Sequence, residues 1–172
     1  MKRILSLLLV ICVVLSSFTI TSFAATEIVI DSNSSYFTKV GSWMQSTSNT
    51  VLGPNGNYSY YGSSSENIAI YDASHLGAGT YGVYFWVMPV PTVAEYMDVI
   101  VEVSGVEKVY KVNAYDGGKN SGGHYVYLGR HTVTSTDTFK VLQRHAEGYT
   151  GSLRTAGVKF VKDDTFTVDP TA

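Results

Sequence analysis

An alternation with a period of two constrains this chain more than any other feature. Between residues 27 and 161, short runs rich in Val, Tyr, Phe and Thr recur, bounded by clusters of Gly, Pro, Asn, Asp and Ser. Successive side chains of an extended strand point to opposite faces, so such runs bury one face and wet the other. No window carries the three-and-four spacing of an amphipathic helix. Strands are expected over 27–31, 39–47, 58–61, 65–71, 80–88, 97–104, 107–113, 124–133, 137–143 and 155–161. Gly53-Pro54-Asn55-Gly56 and Gly77-Ala78-Gly79 are turns by composition, and Gly105-Val106 sits at a hairpin. Pro89 and Pro91 end the aromatic run before them, since proline donates nothing to a sheet ladder. About ten short strands with regular turn signals predict an all-β fold, a single-domain antiparallel β-sandwich of jelly-roll type. Its expected core holds Trp43, Tyr81, Val83 and Phe85 from the first half, and Val99, Val101 and Leu128 from the middle. Phe139, Val141, Val158 and Phe160 complete it.

The N-terminus stands apart. Lys2 and Arg3 precede an apolar run from Ile4 to Leu15, and Ser22-Phe23-Ala24 supplies small residues for a cleavage site. This pattern predicts a secretory signal peptide over 1–24, then a sandwich domain over 25–162 and a polar tail over 163–172. The apolar run is shorter than the roughly 20 residues that a membrane span needs, so no membrane association is expected after cleavage. The only cysteine, Cys12, leaves with the signal, so the mature chain relies on its core rather than on disulfides. Removing Lys2 and Arg3 takes the basic residues from 12 to 10 against 14 acidic ones, and the net charge from −2 to −4. Nucleic acid is excluded as a partner, because phosphate binding needs clustered Lys and Arg.

Few residues suit catalysis. Serines lie in Ser/Asn/Thr runs that hydrogen-bond their own backbone, outside any strained nucleophile turn. Glu66, Asp72, Glu95 and Asp98 lie nearest the aromatic segments, but their spacing marks no pair for glycoside hydrolysis. The protein is therefore expected not to be an enzyme. His124 and His131 are seven residues apart, which in a regular strand places them on opposite faces and argues against a shared zinc; a bulge near Gly129 would change that. Asp116, Asn113 and Asn120 form the one calcium candidate, without the dense acidic loop of an established site. No cofactor is expected.

The Gly-rich stretch VNAYDGGKNSGGHYVYLGRH, residues 112 to 131, reads as two strands joined by a loop over 114–123. Its rim, and the aromatic residues elsewhere, suit an uncharged polar ligand. Tyr58, Tyr60 and Tyr61 flank a Gly/Asn/Ser-rich loop, and Tyr125 and Tyr127 share one face of a strand. A phenol ring stacks on the C–H face of a sugar while neighbouring amides and hydroxyls bind its hydroxyl groups. Tyr58, Tyr60, Tyr61, Asn113, Tyr125 and Tyr127 are therefore the candidate ligand-binding residues. Tyrosines also fill sandwich cores and edges, which is the competing explanation for each.

The ordered motifs resemble a known family. Ile28-Val29-Ile30-Asp31, Gly41-Ser42-Trp43 and Tyr60-Tyr61-Gly62 are followed by Gly79-Thr80-Tyr81-Gly82-Val83-Tyr84-Phe85-Trp86. Val112-Asn113, Gly122-Gly123 and Leu128-Gly129 come next, and Ala156-Gly157-Val158-Lys159-Phe160 closes the series. In this order the chain resembles the golvesin/xanthan-lyase carbohydrate-binding-like domain of secreted bacterial proteins, over nearly all of residues 28–161. It departs from that pattern at Ala114, Tyr125 and Thr155, where the family has Gln, Trp and Asp. The resemblance implies a β-sandwich and polysaccharide binding. The expectation is thus a secreted, non-catalytic module that binds extracellular or cell-wall polysaccharide. The alternative is a structural or adhesive cell-surface protein that engages proteins or itself.

Overall fold

A computed structural model describes residues 25–48, 52–115 and 122–163. Among them are twelve strands and one short 3-10 helix, Ser74–Leu76. The strands are β1 Glu27–Asp31, β2 Phe37–Val40, β3 Met44–Gln45, β4 Tyr60–Gly62, β5 Ile68–Asp72 and β6 Gly79–Val87. They continue with β7 Tyr96–Val103, β8 Val106–Asn113, β9 His124–Val133, β10 Phe139–His145, β11 Leu153–Thr155 and β12 Gly157–Lys162. Two antiparallel sheets face each other: a four-stranded one in the order β1-β12-β6-β9 and a five-stranded one in the order β2-β5-β10-β7-β8. A small three-stranded sheet, β11-β4-β3, lies beside them. The fold is an antiparallel β-sandwich, as the alternation predicts.

The alternation also built the core. Tyr81, Val83 and Phe85 of β6 and Val158 and Phe160 of β12 point inward from the four-stranded sheet, all with no exposed surface. Val99, Val101, Phe139 and Val141 meet them from the five-stranded sheet. Phe139 and Phe160 bridge the sheets edge to face, with ring centroids 5.3 Å apart.

Four local readings need correction. Trp43 is only partly buried: it lies between β2 and β3, packs against the core's rim and donates from its indole Nε1 to the Val40 carbonyl at 2.7 Å. The expected strand 39–47 is two strands in different sheets, because the chain turns at Gly41, whose φ is +88°. The expected closing strand is likewise two, β11 and β12, broken at Ala156 as the chain passes from the small sheet to the four-stranded one. The hairpin between β7 and β8 turns on Ser104 and Gly105, both at positive φ (48° and 80°), one residue earlier than expected.

The passage from β2 to β3 is fastened by a buried side chain. Asn67 accepts from the Ser42 N–H at 2.7 Å and donates to the Ser42 carbonyl at 2.8 Å. A Cβ at Gly62 would overlap this amide, so glycine is required there. Asn67→Ala removes both hydrogen bonds to Ser42 and leaves a void at the fully buried position 67, a cost of about 2 kcal/mol. Circular dichroism melts should show a transition lower by several degrees, with the sandwich otherwise intact.

Candidate functional site

Strand β6 positions the site. Its odd-numbered residues 81, 83, 85 and 87 fill the core, so its even-numbered ones face outward. Antiparallel pairing sets Trp86 beside Tyr125 and Tyr84 beside Tyr127, which places four aromatic side chains on the outer face of the four-stranded sheet. The rings touch: Tyr84 and Tyr127 lie 5.0 Å apart at 42°, and Trp86 meets Tyr125 edge-on at 4.8 Å. Lys159 of β12 reaches over the same patch, with its Nζ 5.0 Å from the Tyr84 ring and 4.8 Å from that of Tyr125. Glu27 of β1 holds that amine at 3.2 Å. Tyr127 remains 52% exposed. Burial, with the nearby charges of Glu27 and Asp31, pushes the Tyr125 phenol up to about 12, so it is a neutral hydrogen-bonding group at any physiological pH.

The face continues down the strands. Gly82 sits opposite Arg130, and Thr80 opposite Thr132. Arg130 pairs with Asp163, and the Thr80 and Thr132 hydroxyls are 2.9 Å apart. Between the rings and the ion pair lies a depression of about 320 Å³, floored by Gly82.

A bulge makes this arrangement. Val83 pairs with Gly129 but Tyr84 pairs with Tyr127, so Leu128 is an extra residue in β9, and Gly129 adopts a φ of 105°. Leu128 turns into the core, and the alternation shifts by one after it. Tyr125, Tyr127, Arg130 and Thr132 therefore all face outward despite their mixed parity. The same shift corrects the expectation for His124 and His131, which the bulge returns to one face. Seven residues of strand still part them by about 20 Å. His131 instead meets the Tyr110 hydroxyl at 3.1 Å. No three His, Cys, Asp or Glu side chains gather as a metal-binding group among the described residues. Asp116 and Asn120 of the calcium candidate lie outside those residues, and the Asn113 side-chain oxygen accepts from the Tyr115 N–H at 2.8 Å.

Burial holds His131 below the ordinary imidazole value, aided by the charge of Lys108, and burial does the same for His145. Both groups resist protonation in the fold but accept it freely in the unfolded chain. The unfolded state then binds more protons as pH falls through about 6.5, so stability drops with pH in that window. Thermal melts should show a lower midpoint at pH 5.5 than at pH 7.5. His131→Gln with His145→Gln should flatten that difference.

The six expected binding residues do not form one group. Tyr125 and Tyr127 lie on the outer face. Tyr60 and Tyr61 belong to β4 of the small sheet, where Lys39 sits 3.2 Å from the Tyr60 ring centroid and Arg154 stacks over Tyr61 at 5.0 Å. Tyr58 lies in the loop before β4, its carbonyl accepting from Ser32 Oγ at 2.8 Å. Asn113 ends β8 in the opposite sheet. Tyr84, Trp86, Lys159 and Arg130 were not among the expected residues. The even-numbered set on β6 was visible as the complement of the core set, but its neighbours were not.

No protein-family model and no curated protein matches the chain by sequence. Solved structures do match its fold, which is that of a carbohydrate-binding-module-like β-sandwich. A Paenibacillus xanthan lyase matches at a TM-score of 0.63 and 23% identity, over 80% of this chain but only 13% of the lyase. A family 35 carbohydrate-binding module from Clostridium thermocellum matches at 0.59 and 11% identity, over 81% of this chain and 100% of the module. The Podospora anserina GH26-CBM35 β-(1,4)-mannanase matches at 0.58 and 8% identity, over 83% of this chain and 29% of the enzyme.

Proposed function

We propose that this protein is a secreted, non-catalytic module that binds a polysaccharide through the outer face of its four-stranded sheet. The observation that carries the reading is the cluster Tyr84, Trp86, Tyr125 and Tyr127, which stands on the solvent side of a sheet whose other side is the core. A contiguous aromatic patch on an outer face, half-buried at Tyr84, Trp86 and Tyr125 and exposed at Tyr127, and edged by charged and hydroxyl groups, suits stacking on sugar rings. The fold's likeness to carbohydrate-binding modules supports the same reading, as does the resemblance of the ordered motifs to those of the golvesin/xanthan-lyase domains. Export rests on the basic-then-apolar residues of 1–24. Binding is proposed to need no metal.

Self-association through an open edge is the competing reading. Strand β8 ends the five-stranded sheet with Val106 and Val109 exposed. Glu107, Lys108 and Lys111 intersperse that edge, the usual deterrent to strand addition.

The test is affinity electrophoresis through gels holding soluble polysaccharides, with pull-down on insoluble ones, in calcium and in chelator. Retardation by one class of polymer, unchanged by chelator, is the expected result. A protein that no polysaccharide retains, yet which forms concentration-dependent oligomers in light scattering, would leave the edge-association reading standing instead.

A further inference from the structure

The outer face has a direction and a composition that restrict its ligand further, on the premise that it binds polysaccharide. We propose that it takes a single, soluble, uncharged chain lengthwise along β6, gripping an internal segment of about four sugars.

Three observations carry this. The first is shape. Tyr84 and Tyr127 are tilted by 42°, Tyr84 and Tyr125 by 77°, and Trp86 and Tyr125 by 75°. These rings share no plane, so they cannot lie together on the flat surface of a crystalline polymer. They form a ridged surface that suits the alternating faces of one free chain.

The second is length. From Trp86 to Thr80 is six strand steps, about 20 Å, on the order of four linked pyranose rings. The chemistry changes along that line in the order aromatic, gap, ion pair, hydroxyls. Gly82 makes the gap: a Cβ there would lie 3.3 Å from the Tyr84 ring and 3.7 Å from that of Tyr127. The resulting depression of about 320 Å³ has the size of a small binding site, with Tyr84 and Tyr127 on one side and Arg130 and Asp163 on the other. A sugar seated there stacks on the rings and offers a vicinal diol to a guanidinium that donates and a carboxylate that accepts. Thr80 and Thr132 form the next contact, a hydroxyl pair that both gives and receives hydrogen bonds.

The third is charge. The two cations that flank the rings already have their anions: Arg130 pairs with Asp163 and Lys159 with Glu27, while Lys162, which also lines the depression, reaches over the Tyr81 ring. A uronate or sulfate would have to displace a carboxylate, whereas a neutral diol inserts into the existing pair.

The experiment is isothermal titration of the protein with neutral gluco-, xylo-, manno- and galacto-oligosaccharides of one to six units. Oligogalacturonates of equal length and a pull-down on microcrystalline cellulose run alongside. Affinity for the series that binds should climb several-fold with each unit and level off near four, while oligogalacturonates bind at least tenfold more weakly. Gly82→Val fills the gap without removing a ring and should weaken every ligand at least tenfold; Gly82→Ser is the fallback if valine lowers the melting temperature. Thr80→Val with Thr132→Val should weaken only the longer ligands. Full affinity for one or two units, preference for the uronates, or retention by crystalline cellulose without binding of soluble chains each overturns the inference but not polysaccharide binding. Binding of no sugar in any arm overturns both.

Discussion

Phe160→Ala is expected to lower the free energy of unfolding by about 3–5 kcal/mol, the cost of deleting a fully buried ring from a core that cannot collapse around it. The ring has no exposed surface and sits on β12, between β1 and β6 in the middle of the four-stranded sheet. From there it meets Phe139 of the opposite sheet at 5.3 Å, so its loss opens a void where the two sheets are held together. Domains of this size are stable by only about 5–15 kcal/mol. The only cysteine is Cys12, outside the sandwich, so no disulfide offsets the loss. Urea unfolding followed by circular dichroism should show a midpoint reduced by a third or more, with Phe160→Leu losing less. An unchanged midpoint would mean that the sheets do not meet through this ring.

The second large effect is on binding. Tyr84→Ala with Tyr127→Ala should cut affinity for the retained polysaccharide at least thirtyfold, since aromatic anchors at the centre of an interface contribute about 2 kcal/mol or more when truncated. The same pair stabilises the sheet as cross-strand neighbours, by only about 1 kcal/mol or less. Binding should therefore collapse while the melting temperature moves by a few degrees. Tyr60→Ala with Tyr61→Ala is the matched control, because these residues lie on the small sheet. If that variant loses binding and the Tyr84/Tyr127 variant keeps it, the site is on the small sheet and the outer face is ordinary strand surface.

Much of the fold was legible because a strand announces its buried face locally. Tyr81, Val83 and Phe85 alternate with Gly82, Tyr84 and Trp86, and nothing beyond residue spacing is needed to assign the first set to a core. The bounds of β1 and β9 could be read for the same reason. Trp43 failed the rule because size and hydrophobicity do not distinguish a core ring from one that caps a loop through its indole N–H. The strands over 39–47 and 155–161 failed because an extended run looks alike whether it stays in one sheet or crosses to another.

The candidate site was less legible. Tyr125 and Tyr127 were identified by their shared face, but grouping them with Tyr58, Tyr60, Tyr61 and Asn113 rested on residue type alone. Their neighbours on the outer face, Tyr84 and Trp86, are about forty residues away in the chain and meet them only through the pairing of β6 with β9. That pairing is antiparallel and non-local, and the local pattern of neither strand specifies its partner or register.

The sequence by itself therefore determined that the chain is all-β, that most of the residues expected in its core enter it, and that the chain is rich in tyrosine and poor in charge. These follow from period, composition and burial, which act residue by residue. Only the tertiary structure decided which tyrosines stand together, where Gly82 opens a gap, and that an extra Leu128 turns Arg130 and Thr132 onto the same face as Tyr127. The reason is physical: a site on a sheet is a set of cross-strand rows, and rows are made by register between distant segments rather than by neighbours in sequence.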